Sequence, residues 1–97
     1  MPEPASQAVR VRLPTHLHDY TGGRAELTLE LEPPVRLDQV LRALDARWPG
    51  MRFRLIDEQD GIRRHIRLFV GGRSASAVSE PVPAEAEVMI VAALSGG

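Results

Sequence analysis

Apolar and polar residues alternate in two stretches near the start of the chain. Val9, Val11 and Leu13 are separated by arginines, and apolar residues at every second position from Ala25 to Leu31 are separated by Glu and Thr. A period of two is typical of a strand with one buried face and one face in water. The pattern therefore predicts two antiparallel strands, joined by a loop over residues 15–23 into a β-hairpin with a long connection.

The period changes after Pro33-Pro34, where the second strand cannot continue. The apolar positions that follow are spaced as on one face of a helix of about three turns, which Pro49-Gly50 ends; they are Leu37, Val40, Leu41, Leu44 and Trp48. Later alternation predicts strands over residues 65–70 and 88–92. The intervening segment, 75–86, leaves room for one short edge strand.

The predicted order is strand, strand, helix, strand, strand. A single helix covers only one face of a sheet, so the other face is expected to meet water. With the last strand beside the first, this order predicts an α+β, ubiquitin-like β-grasp with a mixed sheet. We expect a disordered N-terminal segment (1–7), the β-grasp domain (8–93) and a flexible C-terminal tail (94–97).

Strand parity places Phe69, Met89 and Val91 on the face that the helix does not cover. Neighbouring exposed apolar side chains often mark an interaction surface, although isolated ones are common on any protein. These three residues are therefore the predicted partner-docking residues.

The composition excludes several kinds of chemistry. The chain has no Cys, and all twelve of its basic residues are Arg, so disulfides, zinc knuckles, thiol catalysis and Schiff-base chemistry are ruled out. A net charge of −1 argues against binding to nucleic acid or to an anionic membrane. No apolar run is long enough to span a membrane, and no signal peptide is evident, so a cytoplasmic location is expected.

Two clusters of polar residues have ordinary explanations. His16, His18 and Asp19 resemble metal ligands, but with no Cys and no further ligand at matching spacing we expect a solvated loop and no metal. The arginines of the first strand are expected to pair with Glu26, Glu30 and Glu32 across the sheet, or to steer an acidic partner.

The sequence closes with a slender tail, Leu94-Ser95-Gly96-Gly97, directly after the last predicted strand. Glycine has no Cβ and reaches backbone angles closed to other residues, so two terminal glycines suit entry into another protein's narrow active site. The alternative is a frayed end without function.

Several segments in the right order resemble the MoaD/ThiS sulfur-carrier family, most closely its CysO-like cysteine-biosynthesis branch. The resemblance spans residues 9–97, and the segments that carry it include Arg12-Leu13-Pro14-Thr15, Tyr20-Thr21-Gly22-Gly23, Trp48-Pro49-Gly50, Gly61-Ile62-Arg63-Arg64 and Ala93-Leu94-Ser95-Gly96-Gly97.

This resemblance implies a carrier protein, not an enzyme, with Gly97 as the reactive residue and Leu94, Ser95 and Gly96 as the tail that an enzyme binds. A ubiquitin-activating-like (MoeB/ThiF-type) enzyme would adenylate Gly97, and a sulfur donor would convert the adenylate to a thiocarboxylate. The chain itself would bind no cofactor, because ATP and the sulfur donor are used by the activating partner.

The resemblance leaves the sulfur acceptor open. A pyridoxal-phosphate (PLP) cysteine synthase-like enzyme, with a metalloprotease releasing the product, fits the cysteine branch; the molybdopterin synthase large subunit or a thiazole-synthase-like or other natural-product C–S forming enzyme are alternatives. From a different class, the same Gly97 would serve a ubiquitin-like protein modifier, and a plain interaction module with an inert tail is a third possibility.

Overall fold

The computed structural model describes residues 6–92. Five strands and two helices, with a 3₁₀ turn at Thr15–Leu17, follow one another as β1 Gln7–Arg12, β2 Glu26–Leu31, α1 Leu37–Arg47, α2 Met51–Leu55, β3 Ile66–Val70, β4 Arg73–Ala75 and β5 Glu87–Ala92. The strands form one sheet in the order β2-β1-β5-β3-β4.

The first and last strands lie side by side in the middle of this sheet. β1 pairs with β5 in parallel, through Arg10 with Glu87, Val11 with Val88 and Arg12 with Met89. All other pairs are antiparallel: β1 with β2, β3 with β5 and β3 with β4. The mixed β-grasp sheet that the sequence predicts is confirmed.

The core lies between α1 and one face of the sheet. The four inward residues of α1, namely Leu37, Val40, Leu41 and Leu44, are fully buried. They belong to one apolar cluster with the inward residues of the strands, among them Val9, Val11, Leu68 and Val88. Burying a side chain of this kind contributes about 1.5–3 kcal/mol to stability. The predicted amphipathic helix is confirmed.

Local chemistry fixes both ends of α1. At its start the side-chain oxygen of Gln39 accepts a hydrogen bond of 2.7 Å from the backbone N–H of Arg36, which satisfies a donor that the helix leaves unpaired. Past its end, Gly50 has a φ of 96°, a backbone conformation that glycine adopts without steric cost. The chain therefore reverses there and starts α2.

Two elements differ from the sequence prediction. The short helix α2 was not predicted, because five residues are too few to show a helical period. The edge strand β4 was expected within residues 75–86 but lies at Arg73–Ala75. Gly71 and Gly72 both have positive φ, as a tight two-residue hairpin turn requires, so β3 turns directly into β4.

The ends of the described region bear on the expected boundaries. β1 begins at Gln7, one residue earlier than the expected start of the domain, and β5 ends at Ala92. The expected tail, Leu94 to Gly97, and most of the expected N-terminal segment lie outside the described residues. Within residues 6–92, no helix has the length and apolar character needed to cross a membrane.

A charged network joins α1 to α2 and to the acidic turn after α2, residues 57–61. The carboxylate of Asp38 accepts hydrogen bonds of 2.7 Å from Arg42 Nε and of 2.7 Å from Arg52 Nη2. The same Arg52 nitrogen donates to Asp60 Oδ1 at 3.0 Å. Partial burial acts to raise the pKa of Asp38, but the hydrogen bonds and charges of Arg42 and Arg52 outweigh it, so its pKa lies below the ordinary value.

We predict that Asp38→Asn lowers the free energy of unfolding at pH 7 by about 1–2 kcal/mol, because it removes a charged acceptor shared by two arginines. The folded-state pKa of Asp38 is depressed. Its contribution is therefore complete above the unfolded-state pKa of about 3.9 and is lost as the pH falls through the folded-state pKa. Urea unfolding from pH 7 down into the acid range measures both effects.

Asp19→Asn is the matched control, because Asp19 is an exposed acid in the β1–β2 loop. We expect it to change the free energy of unfolding by less than about 0.5 kcal/mol. An Asp38→Asn protein with the same acid dependence as the unsubstituted chain would contradict the assignment.

Candidate functional site

The face of the sheet opposite α1 carries a row of residues that crosses all five strands. The register aligns Glu26, Arg12, Met89, Phe69 and Ser74 from β2 to β4. None of these five side chains belongs to the buried core. The strand parity predicted from the sequence is therefore correct.

Phe69 and Met89 are direct cross-strand partners in the centre of this row. Val91 lies on the same face, opposite Arg67. All three apolar residues are partly exposed, whereas their chain neighbours Leu68 and Ile90 are buried. We call Phe69, Met89 and Val91 the sheet-face patch.

Charged residues of both signs border the sheet-face patch. Arg10, Arg12 and Arg67 are exposed, and Arg12 Nε lies 3.4 Å from a carboxylate oxygen of Glu87 on the neighbouring strand. The expected ion pairs between the arginines of β1 and the glutamates on β2 and just after it do not form among the described residues, since the acid that Arg12 meets lies on β5. The surface is apolar at its centre and carries both arginines and glutamates at its margin, with Glu87 and Glu26 beside Arg12.

The C-terminal ends of the parallel strands β1 and β5 lie at the same end of the sheet. Ala92 is still paired with Ile66 of β3, but the pairing of β1 with β5 stops at Met89. Pro14 lacks a backbone N–H, so it cannot donate to a continued ladder. A groove of about 370 Å³ results, lined by residues 12–15 and 89–92.

The predicted reactive residue, Gly97, and the predicted tail-binding residues, Leu94, Ser95 and Gly96, lie outside the described residues. The structure does place Ala92, the last residue of β5, which lines the groove. Five residues that follow Ala92 span at most about 17 Å when fully extended.

In the polar cluster of the β1–β2 loop, the structure gives a contact for His18. His18 Nε2 lies 3.2 Å from the carbonyl oxygen of Leu13, a contact that serves the loop itself. Among the residues that the structure describes, no three His, Cys, Asp or Glu side chains are grouped so that they could hold a metal ion.

Two prominent surface residues were missed in the sequence. Tyr20 and Phe53 are 46% and 58% exposed and are the large hydrophobic residues that stand out from the described surface. The sequence carries no signal for an exposed Phe53, because Met51, Phe53 and Leu55 alternate with arginines as on one face of a strand. In the structure this segment is the helix α2, in which Met51 and Leu55 are buried and Phe53 is exposed.

No protein-family model matches the sequence, and no curated protein matches it. Solved structures do match. A chain of the Amycolatopsis orientalis BexX/CysO complex is 23% identical, with 92% of this chain and 99% of that chain covered and a TM-score of 0.78. SAMP1 from Haloferax volcanii is 22% identical over 93% of this chain and 99% of its own, with a TM-score of 0.77.

A third similar structure is a Pyrococcus furiosus protein described as molybdopterin converting factor, subunit 1. It is 19% identical, covers 92% of this chain and 100% of its own, and has a TM-score of 0.71. At these identities the likeness establishes the fold. The chain therefore has the ubiquitin-like β-grasp fold that these carrier and modifier proteins share.

Proposed function

We propose that this chain is a sulfur carrier protein that acts through a thiocarboxylate on Gly97. The observation that supports this most directly is the position of β5. This central strand ends next to the sheet-face patch, and the sequence then continues into Leu94-Ser95-Gly96-Gly97. An enzyme that binds the sheet-face patch has the slender tail within reach.

The proposed chemistry starts at a carboxylate, which is a poor electrophile. An activating enzyme joins the Gly97 carboxylate to the α-phosphate of ATP and releases pyrophosphate, so that AMP becomes a leaving group. Sulfide from a donor attacks the acyl carbon, forms a C–S bond and expels AMP. The resulting sulfur is ionised at neutral pH and nucleophilic, as a thiolate is.

The composition suits this role. With no Cys in the chain, the sulfur of the thiocarboxylate would be the sole nucleophilic thiol-type group, and no neighbouring thiol could capture the acyl group. With no Lys, the activated carboxyl would meet no side-chain amine on another copy of the same protein.

For the acceptor we propose a PLP cysteine synthase-like enzyme, with a metalloprotease that releases the product. The similarity to a chain of the BexX/CysO complex supports the CysO-like branch, and the sequence resemblance to that branch implies this acceptor and this protease. The similarity to a molybdopterin converting factor subunit supports the molybdopterin synthase large subunit as the second candidate. A thiazole-synthase-like acceptor would use the same thiocarboxylate.

A protein modifier is the candidate from another class. SAMP1, the small archaeal modifier protein 1, has the same fold. A modifier would need the same adenylate on Gly97, with a lysine amine of a target protein as the nucleophile in place of sulfide. The two functions therefore differ in the product that the activated chain forms.

We predict that incubation with a ubiquitin-activating-like enzyme from the same organism, ATP and sulfide replaces one oxygen of the chain with one sulfur, which intact-protein mass spectrometry detects. Because the sequence has no Cys, a thiol-directed alkylating reagent then labels the terminus selectively. Fragmentation places the label on Gly97.

A variant that lacks Gly97 is the control, and we expect it to unfold at the same temperature but to gain neither sulfur nor label. An unchanged mass of the full chain under all donors would rule out the carrier function. Attachment of the chain to lysines of other proteins would favour the modifier.

We predict that Phe69→Asp reduces kcat/KM for adenylation about tenfold or more, because it places a charge in the centre of an apolar contact surface. ATP–pyrophosphate exchange measures this rate. Phe69 is partly exposed, so the substitution is expected to leave the thermal unfolding temperature close to that of the unsubstituted chain.

Thr28→Asp is the matched control. It adds the same charge to the same face, on β2 and away from the sheet-face patch, and we expect at most a twofold effect (about 0.4 kcal/mol). Equal adenylation rates in the Phe69→Asp and Thr28→Asp proteins would show that the sheet-face patch is not the docking surface.

A further inference from the structure

A second exposed surface lies on the side of the molecule formed by α2 and the β1–β2 loop. Tyr20 of the loop and Phe53 of α2 line one groove of about 800 Å³, together with Leu17, Pro49, Arg54, Glu58, Arg63 and His65. We call it the stacked-arginine groove. It shares no residue with the sheet-face patch.

Each exposed aromatic ring in the groove carries a stacked guanidinium group. Arg54 Cζ lies 3.8 Å from the centroid of the Tyr20 ring, and Arg63 Cζ lies 4.5 Å from that of Phe53. Both distances are within the range of a cation–π interaction. Arg63 is further fixed by a hydrogen bond of 2.7 Å from its Nε to the carbonyl oxygen of Phe53.

These two arginines are positioned by aromatic rings and not by acids. The ion pairs found among residues 6–92 involve Arg12, Arg42, Arg52 and Arg73, so within that part of the chain neither Arg54 nor Arg63 has a carboxylate partner. The groove lining contains one acid, Glu58, against two arginines. A guanidinium over a ring keeps N–H groups at its margin that match a carboxylate bidentately; in Arg63, whose Nε donates to Phe53, these are the two terminal nitrogens.

The stacked-arginine groove also lies near Ala92, the C-terminal end of β5. His65, which lines it, directly precedes Ile66, and Ile66 is the cross-strand partner of Ala92. A protein bound in the groove is therefore close to the departure point of the chain that leads to Gly97.

We infer that the stacked-arginine groove binds an extended acidic segment of a partner protein, with carboxylates on Arg54 and Arg63 and an apolar side chain against the exposed ring of Phe53. The charge of the groove is the basis for this choice of partner. The surface is separate from the sheet-face patch, so one partner in the groove and another on the sheet do not compete for the same residues. The inference does not depend on the chemistry of Gly97.

Single-stranded RNA is the occupant that the structure disfavours. Bases stack on open aromatic faces, whereas each ring of the groove already has a guanidinium over one face.

The test is a titration of the isotopically labelled full chain with a short peptide of Asp and Glu residues around one central Leu. We expect saturable NMR shifts of the backbone amides of Phe53, Arg54, Arg63 and His65, with an affinity that falls as salt is added. The double variant Arg54→Gln, Arg63→Gln is expected to bind at least about tenfold more weakly, the equivalent of about 1.4 kcal/mol.

Arg47→Gln is the matched control, because Arg47 is also stacked on an aromatic ring, with its Cζ 5.1 Å from the centroid of Trp48, but lies outside the groove. Its affinity should equal that of the unsubstituted chain. Should the double variant unfold early, Arg54→Gln and Phe53→Ser separately provide the same comparison.

Three results would overturn the inference. The first is no saturable binding of the acidic peptide, or shifts confined to the sheet-face patch. The second is equal weakening by Arg47→Gln. The third is preferential binding of oligouridylate over the peptide, which would make the groove a nucleic-acid site.

Discussion

The short parallel ladder between β1 and β5 is the contact on which the rest of the structure depends. It joins the two strands that are farthest apart in sequence, with Val11 and Val88 fully buried at its centre. A parallel pair requires a crossover connection, and here everything from β2 to β4 forms that connection. α1 covers one face of the sheet as a result, and the other face carries the sheet-face patch and the charged residues that border it.

The same ladder determines where both proposed partner surfaces lie. Because β1 and β5 run in the same direction, their C-terminal ends lie at the same end of the sheet, where the β1–β2 loop begins and β5 stops. That loop supplies Leu17 and Tyr20 to the stacked-arginine groove, and β5 supplies Met89 and Val91 to the sheet-face patch. The two surfaces are thus on different sides of the molecule, and both lie near the C-terminal end of β5.

The fold was largely predictable from the sequence because its strands are half buried. Alternation of apolar and charged residues reports which face is inward, so the positions of Phe69, Met89 and Val91 on the open face followed from parity alone. Two elements are too short to show a period: α2, which was missed, and β4, which was expected a few residues later in the chain. α2 depends on the reversal at Gly50, and β4 depends on two glycines with positive φ, a hairpin signal that the sequence does contain. The stacked-arginine groove needed the structure, because it joins a loop residue, Tyr20, to residues more than thirty positions later.

The place of β5 in the sheet has a consequence for synthesis on the ribosome. The strand is near the end of the sequence, yet it lies between β1 and β3 and contributes Val88 and Ile90 to the core. The nascent chain cannot close its core until these residues have emerged, although domains generally fold as they are made. A chain that stops before β5 has neither a closed core nor Met89 and Val91 on its surface. An enzyme that docks on the sheet face would therefore recognise only chains whose translation has passed β5, so docking itself would discriminate against truncated products.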